Sequence, residues 1–322
     1  MKDKCGINVM EERITPHLKK LIRNGSRPIE LQFRSSLKTN RELFTENDPL
    51  GEETKYSPVK GIVHKFQNRI LWKVSYRCAA HCQFCTRIRQ IGTPKGDLKK
   101  RDIQNGFDYI KTHNEIEDVI LSGGDPFVTI KNTSLILRGL ADIESVKVIR
   151  IGTRLPIHEP SSFKTTAMKK LLKEIRLVSK KKPLFIILHV NHRDETDSEA
   201  REAIKTLKKT GAILMSQTVF LKDINDDVVV LSDLFRSLYH LGVMPYYIYR
   251  CDYVKGLEHF VCSIEKEQHI MTELRCRLSG IAVPLYVMDV SGKGKIPIPL
   301  AFWEGVNLTE CKDFDSKRIS IL

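Results

Sequence analysis

The sequence predicts an α/β fold: a barrel or partial barrel of six βα units, with a small helical extension at its N-terminus. Three observations carry this. Short β-rich runs recur between Arg69 and Asp289, the segments between them are polar with apolar residues at helical spacing, and residues of unusual chemistry gather at the ends of the runs. Alternation of strand and helix means parallel strands joined by helical crossovers. In a barrel built that way, function collects at the C-terminal ends of the strands.

Residues 1–55 read as helical and irregular, punctuated by Asn47-Asp48-Pro49 and, just beyond, Ser57-Pro58. Residues 56–299 hold the barrel. Its strand candidates are Ile70 to Ser75, Asp118 to Ser122, Val146 to Gly152, Leu184 to Val190, Ala212 to Val219 and Pro245 to Tyr249. Helices between them show in apolar spacings such as Ile103, Phe107 and Ile110, or Ala203 and Leu207. A last extended run, Val283 to Val290, leads into the glycine-containing loop Ser291-Gly292-Lys293-Gly294-Lys295, and residues 300–322 form a short tail. There is no internal repeat beyond the βα unit and no low-complexity segment.

At 322 residues, with 41% hydrophobic and 29% charged residues, the composition is that of a soluble globular protein. The first twenty residues lack the apolar run of a signal peptide, and the longest apolar run, Leu184-Phe-Ile-Ile-Leu188, is far too short to span a membrane. The expectation is therefore a cytoplasmic protein whose eight cysteines are free or metal-bound. A net charge of +14 raises the question of nucleic acid. The lysines are spread in small groups, such as Lys99 to Arg101 and Lys180 to Lys182, without a motif to present them, so a solvated basic surface is expected instead.

The first candidate site follows the first strand. Cys78, Cys82 and Cys85 form C-x3-C-x2-C, with Phe84 directly before the third cysteine. Three thiolates can fill three corners of a [4Fe-4S] cluster and leave one iron open to a ligand that is not protein. A structural zinc site wants four ligands and usually a second cysteine pair, but Cys5, Cys251, Cys262, Cys276 and Cys311 form none. His81 is a candidate fourth ligand that would crowd the three sulfurs.

S-adenosyl-L-methionine suits an open iron, because its amino and carboxylate groups can chelate it. Gly123-Gly124-Asp125, after the second strand, fits a place where backbone approaches such a ligand closely, with Asp125 or neighbouring carbonyls accepting from its ammonium. Lys293 and Lys295 are candidates for a Schiff base with pyridoxal 5'-phosphate, on a tether that glycines make movable. Arg69 or Lys65 could hold the phosphate. Asp252 and Asp289 end two late strands and Arg87 lies just past the cysteines, an arrangement that complements a molecule with an ammonium at one end and a carboxylate at the other, such as L-lysine. His189 and His192 read as packing or hydrogen-bonding residues.

Several motifs in order carry a resemblance: HKFQNR, CAAHCQFCTRIR, DVILSGGDP, IRIGTRLPI, HVNHRDE, SQTVFLKDIND, MPYYIYRCD and GKIPI. From about Asp48 to Pro299 the chain resembles the radical SAM lysine 2,3-aminomutases, including a shorter branch that supplies β-lysine for modifying elongation factor P. The resemblance implies a partial (β/α)6 TIM-like barrel of the radical SAM type. It implies interconversion of L-lysine and β-lysine through a 5'-deoxyadenosyl radical and a pyridoxal-mediated 1,2-amino migration. Carried over residue by residue, Cys78, Cys82 and Cys85 would bind the cluster and Gly123, Gly124 and Asp125 would meet S-adenosylmethionine. Lys295 would carry pyridoxal phosphate, with Lys293 as the fallback, and Arg69 and Gln217 would lie near its phosphate. Arg87 would bind the substrate carboxylate, and Asp252 with Asp289 its ε-ammonium. An external electron donor such as flavodoxin or ferredoxin is implied, and a homodimer is admitted.

Three departures from the family pattern bear on this. The loop between Asp289 and Lys295 is one residue shorter and has Lys293 where the family has glycine. Lys65 replaces the family's first phosphate-binding arginine, giving a point-charge contact. The zinc-binding C-terminal extension that helps larger members assemble does not follow Pro299. Dedication to elongation factor P, or an aminomutase acting on another amino acid, are the neighbouring readings; a glutamate side chain would be repelled by the two aspartates. A basic zinc-bound binding protein without catalysis is the reading from another class, and it leaves the glycine-lysine loop unexplained.

Overall fold

The computed structural model describes residues 10–34, 48, 50–53, 55–93, 97–290 and 292–300, and the backbone of 310–312 and 318–320. Ser291, most of the tail 300–322 and much of the extension 1–55 lie outside the described residues. Two short helices, α1 (Pro16–Arg23) and α2 (Arg27–Phe33), come first, followed by the antiparallel pair β1 (Ile62–Phe66) and β2 (Arg69–Ser75). Then come α3 (Lys100–Thr112), β3 (Asp118–Gly123), α4 (Ile130–Asp142), β4 (Val148–Thr153), α5 (Leu155–His158), α6 (Thr166–Ser179) and β5 (Leu184–His189). The series continues with α7 (Ser198–Lys208), β6 (Ile213–Val219), α8 (Val228–His240), β7 (Met244–Tyr249), α9 (Ile264–Arg277), β8 (Leu285–Val290) and β9 (Gly294–Pro297). A separate two-stranded ribbon pairs β10 (Glu310–Lys312) with β11 (Arg318–Ser320).

Strands β1 to β9 form one nine-stranded sheet in sequence order. From β2 to β8 every neighbouring pair is parallel, and the six crossovers all contain helix. The six expected βα units are therefore present, followed by a seventh parallel strand. An antiparallel strand flanks the set at each edge, β1 on β2 and β9 on β8. Among the described residues the sheet is not closed by hydrogen bonds, yet Lys65 of β1 reaches Asp289 of β8 at 3.4 Å. That contact between opposite margins shows how far the sheet curls.

The sequence explains the curl's two faces. In β3, β4 and β6 buried and half-exposed residues alternate, as strand geometry requires. Val119, Leu121, Ile149, Ile151 and Leu214 belong to the main core beneath the helices. Ser122, Arg150 and Gln217 occupy the other, more accessible face and line the concave interior. Helix starts are fixed by side-chain caps: Thr165, Asp197, Asp227 and Ser263 accept from amides in the first turns of α6, α7, α8 and α9. Each such cap contributes about 1 kcal/mol. Among the described residues no helix is long and apolar enough to cross a membrane.

Two small apolar clusters matter most for function, because the cysteine loop is wedged between them. On one side α1 and α2 bring Leu18, Leu21, Ile29 and Phe33 against Ala80. On the other, Phe84 packs with Leu221, Ile224, Val254, Leu257 and Phe260 from the loops after β6 and β7. Cys82 borders both clusters. Burying side chains of this size contributes about 1.5–3 kcal/mol each, which holds the loop in shape without regular structure.

Candidate active site

The three cysteines leave β2 on a loop whose path is set by the next strand. Gly124 N–H donates to the Ser75 carbonyl at 2.6 Å and Asp125 N–H to the Arg77 carbonyl at 2.8 Å. Gly123 sits at φ +105°, and a Cβ on Gly124 would fall on the Arg77 backbone. The two glycines are needed because the cysteine loop itself passes so close. Asp125 turns inward: its carboxylate accepts from Thr153 Oγ1, Arg154 N–H and Phe127 N–H. Burial pushes this carboxyl up despite those bonds.

Cys78, Cys82 and Cys85 are free thiols and half-buried. Burial pushes all three thiols up, Cys85 to about 12, and the proximity of the sulfurs to one another adds to the shift of Cys78 and Cys85. Such thiols become thiolates when a metal takes the proton's place. Three cysteines on one loop, near enough to act on one another's charge, are a donor set that fits three corners of an iron–sulfur cluster. His81 is turned toward the N-terminal segment: its Nδ1 lies 2.9 Å from the Glu11 carbonyl and its ring faces Gly92.

Arg154, directly after β4, joins this centre. Its Nη1 donates to Cys82 Sγ at 2.9 Å and its Nη2 to Glu195 at 2.5 Å and Gln32 Oε1 at 3.1 Å. The guanidinium lies over the rings of Phe33 and Phe84, 5.5 and 5.4 Å from their centroids. Glu195 accepts in turn from Gln32 and from the amides of Asn191 and His192. A buried, balanced charge pair therefore ties α2, the cysteine loop and the ends of β4 and β5 together. His189 bonds Asn191 and His192 receives the Asp194 N–H, both in the structural roles expected of them.

The second half of the site lies at the ends of β7 and β8. Asp289 and Lys295 are direct register partners on β8 and β9, and Lys295 Nζ donates to Asp289 Oδ2 at 2.7 Å. The lysine expected on a mobile loop thus stands on a strand, and the turn carrying Lys293 precedes it. Lys295 also lies over the Tyr249 ring at 5.3 Å. Tyr249 and Asp289 together hold its ammonium well above the usual lysine range, against burial. Lys65 reaches Asp289 from the opposite margin, so two ammonium groups surround one carboxylate.

Asp252 follows β7 and is pushed up to about 7, first by burial and then by the neighbouring charge of Asp289. Glu52 and Arg87 act on it as well, which brings both ends of the site within electrostatic reach. Arg87 is bound by Glu52 through two bonds, Nε to Oε2 at 2.7 Å and Nη2 to Oε1 at 2.8 Å. Behind Asp252, Arg250 pairs with the fully buried Glu267 at 3.0 Å and with the Tyr253 hydroxyl, anchoring the turn that carries the aspartate.

Arg87, Asp252, Asp289 and Lys295 are therefore brought together, with Lys65 and Glu52 among them. Arg69 and Gln217 stand apart from this bonded group. Arg69 opens β2 with its guanidinium 4.1 Å from the Phe66 centroid, and Gln217 pairs in register with His189 and Tyr247. Both lie on the interior face of the sheet. A nucleophilic amine beside a carboxylate, with a cationic interior surface, is a donor set that fits pyridoxal phosphate.

No family model matches this chain. It is 37% identical over 301 residues to the L-lysine 2,3-aminomutase of Methanococcus maripaludis, an alignment covering 91% of this chain and 67% of that protein. It is 35% identical over 256 residues to the L-lysine 2,3-aminomutase of Escherichia coli, covering 79% and 72%. It is also 36% identical over 269 residues to the glutamate 2,3-aminomutase of Clostridioides difficile, covering 82% and 62%. The chain thus spans about two thirds of the length of these relatives, between 62% and 72%. Identity alone does not separate a lysine enzyme from a glutamate enzyme at this distance.

Proposed function

Since the chain belongs to the L-lysine 2,3-aminomutase family, we propose that it interconverts L-lysine and β-lysine in the cytoplasm with a [4Fe-4S] cluster, S-adenosylmethionine and pyridoxal phosphate. When bound, the cluster with S-adenosylmethionine would supply a carbon radical that takes hydrogen from the substrate, and pyridoxal phosphate would carry the amino group between adjacent carbons. Cys78, Cys82 and Cys85 hold the cluster and leave one iron open. The Gly123-Gly124 turn presses against that loop and offers backbone, without side-chain bulk, to the ligand of the open iron.

Lys295 is the residue for the covalent attachment of pyridoxal phosphate, through a neutral amine. Attachment requires the Nζ ammonium to lose its proton, which the ion pair with Asp289 at 2.7 Å opposes. With the cofactor bound, the Lys295 side chain would be drawn from Asp289 and leave that carboxylate for a substrate ammonium. Arg69 and Gln217 hold the phosphate on the interior face, with Lys65 a further cation near Asp289. Asp252 and Asp289 then receive the substrate's side-chain ammonium and Arg87 its carboxylate.

The observation that carries the choice of lysine is the carboxylate pair. Asp252 lies within electrostatic reach of Asp289 and Lys295, so two carboxylates converge where a substrate ammonium would take the place of the lysine cation. A substrate carrying a side-chain carboxylate would meet the same pair with a like charge. Electrons arrive from a flavodoxin- or ferredoxin-type donor, and a homodimer is the assembly in this reading. Anaerobic purification tests the cofactors: a brown protein that also carries a borohydride-reducible pyridoxal chromophore is expected. A colourless protein with zinc, or a brown one without the chromophore, would contradict the reading.

A further inference from the structure

Glu52 belongs to none of the motifs that mark the site, yet its carboxylate makes the closest contact with Arg87. The bonds use the Nε side of the guanidinium, Nε and Nη2, at 2.7 and 2.8 Å. A guanidinium carries five N–H donors in a rigid planar fork, so this geometry leaves the Nη1 side and one Nη2 hydrogen for a second carboxylate. Both side chains are well buried, 21% and 14% exposed.

The segment carrying Glu52 is built to stay where it is. The Asp48 carboxylate accepts from the Glu52 and Glu53 amides at 3.1 and 2.9 Å. The Glu52 carbonyl accepts from Lys73 Nζ at 2.9 Å, and Lys73 is a buried residue of β2. Glu53 and Asp48 both pair with Arg89, two residues past Arg87. Asp48, Glu52 and Glu53 are thus stitched by two arginines to the stretch after Cys85.

Asp252 also lies within electrostatic reach of Arg87, so without Glu52 the guanidinium would be drawn toward the aspartate end of the site. Pairing across the site would cancel the charge separation that distinguishes its two ends. We propose that Glu52 is the positioning residue of the substrate-carboxylate site: it holds Arg87 by its Nε side, away from the aspartates, and leaves the Nη1 side directed at the substrate. This rests on the reading above in which Arg87 receives the substrate carboxylate. The competing reading of the same contact is that Glu52 occupies the carboxylate position itself and has to be displaced by substrate. The two predict opposite changes.

The test compares wild type, Glu52→Gln, Glu52→Asp and Arg87→Lys holoenzymes, measuring kcat and KM for L-lysine and inhibition by 1,5-diaminopentane, which keeps both amino groups and lacks the carboxylate. Glu52→Gln is expected to raise KM roughly tenfold with kcat changed by less than about twofold, the size of one weakened charge-assisted bond. Diamine inhibition stays as in wild type, and Glu52→Asp recovers part of the loss. A lowered KM in Glu52→Gln supports displacement and overturns the proposal; so does an equal rise in KM and in the diamine inhibition constant, which marks a general structural role. If Arg87→Lys leaves the KM for lysine unchanged, the assignment of Arg87 itself fails, whatever Glu52 does.

Discussion

Asp289 and Lys295 face each other as register partners on adjacent antiparallel strands, with 2.7 Å between carboxylate and ammonium. The pairing places the amine by backbone hydrogen bonds rather than by loop flexibility, and cross-strand neighbours of this kind stay opposed in every state that keeps the hairpin. It supports the proposed attachment of the cofactor at Lys295 rather than at Lys293. Borohydride trapping with pyridoxal phosphate followed by peptide mass analysis is expected to place the label on Lys295 and to retain it in Lys293→Ala. A label that survives Lys295→Ala and disappears in Lys293→Ala would reverse the assignment.

The same contact sets the protonation of the amine. Tyr249 and Asp289 raise the Lys295 pKa, so Asp289→Asn lowers it toward the ordinary lysine value. At a fixed pH below that value, more of the amine is then neutral. Capture of pyridoxal phosphate, followed by its absorbance, is expected to be faster in Asp289→Asn than in wild type, while lysine binding weakens. Slower capture would show that Asp289 is needed as a proton acceptor more than it retards attack.

Asp252 gives a pH dependence. With its carboxyl pushed up to about 7 by burial and Asp289, the group is protonated below that pH and ionised above it. Only the ionised form attracts a substrate ammonium. KM for lysine is therefore expected to fall as pH rises from about 6 to about 8, and the trend is expected to flatten in Asp252→Asn. For folding the sign is opposite: a carboxyl whose folded pKa lies above its unfolded value loses stability as pH rises between the two, until the folded value is passed.

Arg154 and Glu195 form the most deeply buried charge pair at the cysteine loop, with side chains 9% and 1% exposed. Arg154→Met leaves Glu195 buried without its counter-charge and is expected to cost about 3–5 kcal/mol in denaturant unfolding. The double change Arg154→Met with Glu195→Gln removes both charges and is expected to cost less than the single one. Equal losses would show that packing against Phe33 and Phe84 is the main contribution of Arg154.

Gly124 offers a local test of the loop's shape. A Cβ there would meet the Arg77 backbone, and backbone cannot yield as a side chain can. Gly124→Ala is expected to cost about 1–3 kcal/mol as overpacking and to lower iron and sulfide bound per chain after reconstitution. Full cluster loading would place the strain elsewhere.

The six central strands were legible to within two residues at their starts, because β-rich runs between amphipathic segments leave little choice. The two antiparallel flanks were not. β9 reads Gly-Lys-Ile-Pro, and both its end residues argue for a loop; Pro297 is tolerated because β9 is an edge strand, where one side makes no ladder. β1 is five residues long and carries His64 and Lys65, which weaken its apolar signal. The cysteines, the glycine turn and the aspartates stand out in the sequence because their chemistry is unusual at those places. Glu52 and the Arg154–Glu195 pair were not, since they are ordinary charged residues whose partners lie 35 and 41 positions away. Only the fold reveals that those charges are buried.

The central claim is that the paired aspartates select lysine. Anaerobic incubation of the reconstituted protein with a strong reductant and S-adenosylmethionine, given L-lysine or L-glutamate in parallel and followed by chiral product analysis, tests it directly. The account expects β-lysine from lysine and no β-product from glutamate. Formation of β-glutamate with no β-lysine would contradict it.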